Sequence, residues 1–403
     1  MTNRKQSDQN VATNARATSG SRLVQIDGLR ALAALSVVFF HYTTQFERNF
    51  KHTEKLAFDF SLGFLGVNLF FVISGFVIYM TLDKIHAPLD FVVSRFSRLF
   101  PPYWVAILLT WMIVTSVGLP GYNVSWKEAV VNLTMLQSFF SIRDVDGVYW
   151  SLQVELVFYV WMLILWVTKL FRFSMEVFIG WVLIALAGTL LQNGFGVATP
   201  YSIKYFLLLT WIPWFAIGIA IYVILQERTF KPKTIALVLL AFLAIAAKNE
   251  MPATILAVAA FFAVYGASKG AILWLAWKPL VFFGAISYPL YLVHEKLGWL
   301  IILQTEMSSV APWIAIFLAV AFSVCLATLI HRLIEMPVSS ELRKFYKQSR
   351  FAVSARNFNR LVWVAGGLAT IFFFAVALMV SARLERVALL PLGTPVKTGS
   401  APK

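Results

Sequence analysis

The sequence predicts an all-α, polytopic transmembrane bundle of ten core spans plus one additional C-terminal span. Three observations point to it. Of 403 residues, 60% are hydrophobic and only 13% are charged, whereas soluble domains carry about 45–50% apolar and about 25% charged residues. The apolar residues gather into many long runs, close to the ~20 residues a helix needs to cross a ~30 Å hydrocarbon core. Aromatics reach 16%, with 14 Trp and 13 Tyr, the residues that favour the membrane–water interface.

Residues 1–22 are polar and rich in Ser, Thr, Asn and Gln, which predicts a disordered cytoplasmic tail. They lack the apolar core and small-residue cleavage site of a secretory signal. Spans are expected at 30–46, 61–82, 101–118, 149–169, 175–191, 205–225, 234–247, 252–267, 281–303, 311–334 and 361–382. The seventh and eighth, split only by residues 248–251, read as a hairpin or as one interrupted helix. Residues 271–277 are too short to cross and read as interfacial. The division that follows is a membrane domain over 23–342, a basic cytoplasmic linker over 343–360, an eleventh helix over 361–382 and a short outer tail over 383–403. Placing the N-terminus in the cytoplasm puts the larger share of Lys and Arg inside, as the positive-inside rule requires. The C-terminus then lies outside, across a cell inner membrane.

The formal charge of +15 is spread between hydrophobic spans. It fits topology control and attraction to anionic membrane lipids rather than nucleic acid. A single cysteine, Cys325, forms neither an intrachain disulfide nor a metal site. No phosphate-binding loop, dinucleotide fingerprint or metal-ligand spacing appears, so no metal and no bound cofactor is expected. Small residues at Gly63, Gly66, Ser74 and Gly75 suit close helix packing.

Ionisable residues at apparent membrane depth are costly and need a reason. Arg30 and His41 are eleven residues apart, three helical turns plus about 20°, so they share one face. The rise of about 16 Å puts His41 near mid-bilayer. An imidazole there suits proton abstraction from a hydroxyl near neutral pH, or merely bonds a neighbouring backbone. Any carboxylate partner must come from another helix, and Glu155 is the leading candidate. Arg95 and Arg98, three apart, make either a phosphate clamp or a plain topology signal. Ser287, Tyr291 and His294, with Pro289 between them, sit midway in the ninth span, followed by Glu295 and Lys296. Pro289 frees a backbone carbonyl, so these polar groups read equally as structural or catalytic. His52, His86 and His331 read as loop or interfacial residues without a role.

These pieces together resemble the membrane-bound acyltransferase 3 family, from about Ile26 to Pro337. The resemblance rests on Ile26-Asp-Gly-Leu-Arg30 with His41, Gly66-Val-Asn-Leu-Phe-Phe-Val-Ile-Ser-Gly75, and Arg95-Phe-Ser-Arg98 with Pro101 and Tyr103. Trp150-Ser-Leu with Glu155, Phe158 and Tyr159, Ser287-Tyr with Tyr291 and His294, and Glu335-Met-Pro337 complete it. It implies transfer of an acyl group, commonly acetyl, from cytoplasmic acyl-coenzyme A as co-substrate to a hydroxyl of a cell-surface glycan or lipid-linked acceptor. It implies that Arg30 and His41 are the essential pair and that Arg95 and Arg98 are the paired arginines. On this basis Arg30, His41 and Glu155 are the expected catalytic residues. Arg95 and Arg98 are expected to hold the donor phosphates, with Tyr291, His294, Trp150 and Ser287 in support. Some relatives carry an outer hydrolase-like domain after the eleventh helix; only about twenty residues follow it here, so a stand-alone unit, with room for a separate outer-side partner protein, is expected. The rival class is a secondary transporter or flippase, against which stands the lack of repeats or matched broken helices.

Overall fold

A computed structural model describes residues 24–348. The expected N-terminal tail, the linker beyond Gln348, the eleventh span and the outer tail lie outside the described residues. Within them the chain is helical, and seven helices are long and apolar enough to cross a membrane. These are α1 (Val24–Asn49), α2 (Ser61–Leu82), α3 (Pro88–Val117), α5 (Gly147–Val167), α6 (Leu170–Phe195), α10 (Met251–Ser268) and α14 (Pro312–Gln348). The short α4 (Trp126–Asn132) and α7 (Tyr201–Phe206) lie in connections, and α8 (Ile212–Glu227) and α9 (Pro232–Ala246) are apolar but shorter. The expected hairpin is present: α9 and α10 turn at Asn249, whose φ is +59°.

The expected ninth span, 281–303, is not one helix. It is three: α11 (Lys278–Ala285), α12 (Ser287–Val293) and α13 (Glu295–Met307). Pro289 has no N–H, and its ring excludes the carbonyl four residues back, that of Ala285, where α11 stops. At the second break the Lys296 N–H turns to Asp146, which frees the Leu292 carbonyl, while the His294 carbonyl keeps the Gly298 N–H at 3.0 Å. Tyr149 donates to the Leu292 carbonyl at 3.2 Å and Tyr42 to that of His294 at 2.7 Å. Two further expectations shift. The third helix begins at Pro88, so Arg95 and Arg98 lie inside it, and the tenth runs on to Gln348 through a π turn at His331–Glu335.

Glycines set the bundle's tightest crossing. A Cβ on Gly75 of α2 would overlap the Phe215 carbonyl of α8, and one on Gly218 would overlap Val72. Backbones in lipid approach this closely only through small residues. Gly63 and Gly66 do the same for α2 against Ser36 and Ala33 of α1. With α1 and α2 fixed in this way, α3, α5 and the broken α11–α13 segment close around two internal cavities.

Candidate active site

The first cavity, about 280 Å³, is lined by Arg30 of α1, Arg95 and Arg98 of α3, Glu155 and Tyr159 of α5, and Ser287, Tyr288 and Tyr291 of α12. Arg30 is paired with Asp27 at 3.3 Å. Arg95 makes long hydrogen bonds, to Thr81 at 3.5 Å and Ser94 at 3.4 Å, and lies over the Phe91 ring at 5.8 Å, while its buried Nε has no partner. No carboxylate lies within ion-pair distance of Arg98 among the described residues. Three guanidinium groups against Asp27 and Glu155 leave a net positive chamber, with donors free to meet the oxygens of a polyanion.

The second cavity, about 430 Å³, is lined by His41, Gln45, Asn68, Trp150, Trp211, Trp214, Lys248, Glu250 and Glu295. Flat aromatic faces beside polar groups suit a ligand with both apolar and hydroxylated faces. Lys248 donates to the Thr210 carbonyl at 3.0 Å, and burial pushes its ammonium down to about 8. Val67 and Tyr291 line both cavities. Tyr291 is held as part of this partition by Ser151 Oγ at 2.6 Å and the Val148 carbonyl at 3.1 Å.

His41 opens a π turn, His41–Gln45, inside α1. Its Nδ1 lies 2.8 Å from the Val37 carbonyl, which only accepts, so Nδ1 carries the proton. His294 is oriented alike, with Nδ1 at 2.9 and 3.1 Å from the carbonyls of Tyr291 and Leu290. Its unprotonated Nε2 stands 3.2 Å from His41 Nδ1 and accepts a share of the same proton. That bookkeeping leaves His41 Nε2 with its lone pair, 3.7 Å from Glu295 Oε1, beside the second cavity.

Glu295 is buried, and its Oε2 has no hydrogen-bond donor. The carboxyl packs against the backbone at Gly147, where any Cβ would strike it, and faces Asp146. Asp146 in turn accepts from the backbone N–H of Val148 at 3.3 Å and of Lys296 at 3.2 Å. Burial, with the Glu295 carboxyl opposite, pushes the Asp146 carboxyl well above the usual range.

The structure thus gathers His41 and His294, with Trp150 further along the same cavity wall. It gathers Arg30, Arg95, Arg98 and Glu155 in the other chamber. Ser287 also lines that chamber, but its hydroxyl is spent on the Gly284 carbonyl at 2.8 Å. The expected pairing of Glu155 with His41 is corrected. Glu155 accepts from Ser74 at 2.6 Å and Tyr159 at 2.5 Å. The reason is helical rise: Ser151 touches Tyr291 at the partition, and Glu155 lies one turn, about 6 Å, further along α5. The carboxylate beside His41 is Glu295. Its signal was present in the sequence, as an acid directly after His294 in an apolar run. Asp146 gave none, because it reads as an ordinary loop acid.

The chain matches the model of the acyltransferase 3 family, described as an acyltransferase domain, over residues 23–332. It is 32% identical over 146 residues to acyltransferase MdmB of Streptomyces mycarofaciens, covering 34% of this chain and 38% of that protein. It is 29% identical over 153 residues to nodulation protein 10 of Rhizobium leguminosarum bv. viciae, covering 33% and 41%. It is 30% identical over 154 residues to the putative peptidoglycan O-acetyltransferase YrhL of Bacillus subtilis, covering 34% and 22%. The chain thus spans less than half the length of these three relatives. No solved structure matches it.

Proposed function

The chain belongs to the acyltransferase 3 family, and from that premise we propose that it is an integral membrane O-acyltransferase. It moves an acyl group, acetyl in the simplest case, from cytoplasmic acyl-coenzyme A to a hydroxyl of a cell-surface glycan or related acceptor. One observation carries the proposal: a cationic chamber and a histidine-bearing chamber meet at a shared wall of Val67 and Tyr291. Donor phosphates suit the arginine chamber, and a sugar suits the chamber lined by three tryptophans.

In this mechanism the thioester carbonyl comes to the Tyr291 wall and the acceptor hydroxyl to His41 Nε2. The imidazole takes the hydroxyl proton as the oxygen attacks the thioester carbon. The carbon–sulfur bond breaks, and the leaving thiolate collects that proton from His41. Glu295 stabilises the transient imidazolium, and the His294 lone pair fixes which ring nitrogen is free. Glu155 keeps a role in the donor chamber, where it balances the arginines.

The membrane placement that fits this chemistry has ten crossings in the core, the N-terminus and arginine chamber on the cytoplasmic side of the inner membrane, and the Trp-lined chamber open outward. The eleventh helix and outer tail then offer contact to a separate partner. The broken α11–α13 segment is a feature shared with transporters. It has no matched counterpart among the described residues, and its freed Leu292 carbonyl is occupied by Tyr149.

The test is acyl transfer by the purified protein in nanodiscs, supplied with radiolabelled acetyl-coenzyme A and surface glycan. Consumption of donor with label on the glycan is expected. Glycan movement across the bilayer without donor consumption would replace the enzyme with a flippase.

A further inference from the structure

The π turn that carries His41 has a cost in its own backbone. The N–H of Phe46 donates to the carbonyl of His41, five residues back. In an α-helix it would donate to Tyr42, four back. The Tyr42 carbonyl, next to His41, therefore loses its helical donor. Buried carbonyls are almost always paired, and this one is paired from outside the helix.

The donor is His52, from the loop after α1. Its Nε2 lies 3.1 Å from the Tyr42 carbonyl, and its ring packs on Phe46 at 4.6 Å between centroids. The His52 side chain is wholly enclosed. Because Nε2 must donate to a carbonyl, Nδ1 is left facing Glu306 Oε1 at 2.6 Å, the length of a charge-assisted bond, so one proton is shared between them. Glu306, at the end of α13, uses its other oxygen to accept the Thr53 N–H at 2.8 Å. Trp299, two turns back on the same face of α13, donates to the His41 carbonyl at 2.9 Å. Two side chains of α13, one directly and one through His52, thus hold both carbonyls of the bulge. Bulges of this kind recur at functional sites, where they re-aim a side chain.

We infer that His52 and Glu306 are positioning residues: they lock the π turn so that His41 Nε2 faces the second cavity. The inference rests on the reading of His41 as the base. It adds a device that the sequence, which gives His52 no role, does not disclose.

The experiment compares wild-type protein with His52→Ala, Glu306→Ala and Glu306→Gln, all full length in nanodiscs. Two readouts are taken: acetyl transfer with kcat and donor KM separated, and the rate at which diethyl pyrocarbonate labels His41, read by mass spectrometry with His86 as internal reference. Both alanine variants are expected to lower kcat by up to about 10²-fold, the order expected for a misplaced catalytic group, with donor KM unchanged and His41 labelling altered. Glu306→Gln still accepts from Thr53 and donates to His52 Nδ1, so it should keep most of the wild-type rate. Wild-type kcat and wild-type His41 labelling in His52→Ala overturn the inference; where His52→Ala yields no folded protein, the same outcome in Glu306→Ala overturns it. A fall in rate that appears entirely as raised donor KM also overturns it. Absence of acyl transfer by the wild type sinks the proposed function instead, and the labelling comparison still tests the clamp.

Discussion

His41 Nδ1 stands 3.2 Å from His294 Nε2, and each ring's Nδ1 is tied to a helix carbonyl within its own chain segment. Two imidazoles from distant parts of the sequence are thereby fixed in one tautomer each, and only one nitrogen, Nε2 of His41, is left to do chemistry. This asymmetry makes the two histidines unequal in their expected mutational effects. His41→Ala should abolish transfer. His294→Ala should lower kcat by about 10²-fold, the order expected when the base is left misoriented, while donor affinity stays put. Equal loss in both variants would count against the assignment.

Glu295 and Glu155 separate by cavity. Glu295→Gln should depress kcat, because the imidazolium formed on His41 loses its counter-charge. Glu155→Gln should act mainly on donor KM, through the hydrogen bonds to Ser74 and Tyr159. Steady-state kinetics on both variants decide this, and the opposite pattern would restore Glu155 as the partner of His41.

Arg95→Ala and Arg98→Ala should each raise donor KM by roughly 30-fold, taking about 2 kcal/mol for a charged hydrogen bond. The wild-type donor KM should also rise with ionic strength, and the variants should be less sensitive to salt. Titration of acetyl-coenzyme A at low and high salt checks both points.

The α2–α8 crossing should tolerate no side chain. Gly218→Val drives a branched Cβ into the Val72 backbone, and overpacking costs about 1–3 kcal/mol or more when backbone must move. Gly180→Val, where a Cβ meets nothing within contact range, is the control. Thermal melting in detergent should show a loss for the first and near-identity for the second.

Outside the spans, the Arg143 guanidinium and the Ser125 N–H and hydroxyl hold the Glu128 carboxyl down to about 2 from its ordinary 4.5. A carboxyl with a depressed folded-state pKa stabilises the fold above its unfolded value. That contribution fades as pH falls from about 4.5 through about 2. Melting curves for wild type and Glu128→Gln should therefore differ near neutrality and converge at the acid end of that window.

Much of this protein follows from sequence alone for a simple reason: burial in lipid acts on every residue of a span, so composition and run length report it without knowledge of neighbours. The existence of the long apolar helices between Ser61 and Ser268, the break near residues 248–251 and the face shared by Arg30 and His41 come from that local signal. The tertiary structure decided what depends on register between helices. It set Glu155 one turn below Tyr291, and so with the arginines. It brought Glu295 to His41 across a segment that Pro289 breaks and whose freed Leu292 carbonyl Tyr149 takes. It recruited His52, an ordinary loop residue by sequence, to a carbonyl orphaned by a π turn. None of these contacts leaves a periodic trace, because each joins atoms far apart in the chain whose meeting is fixed only when the helices pack.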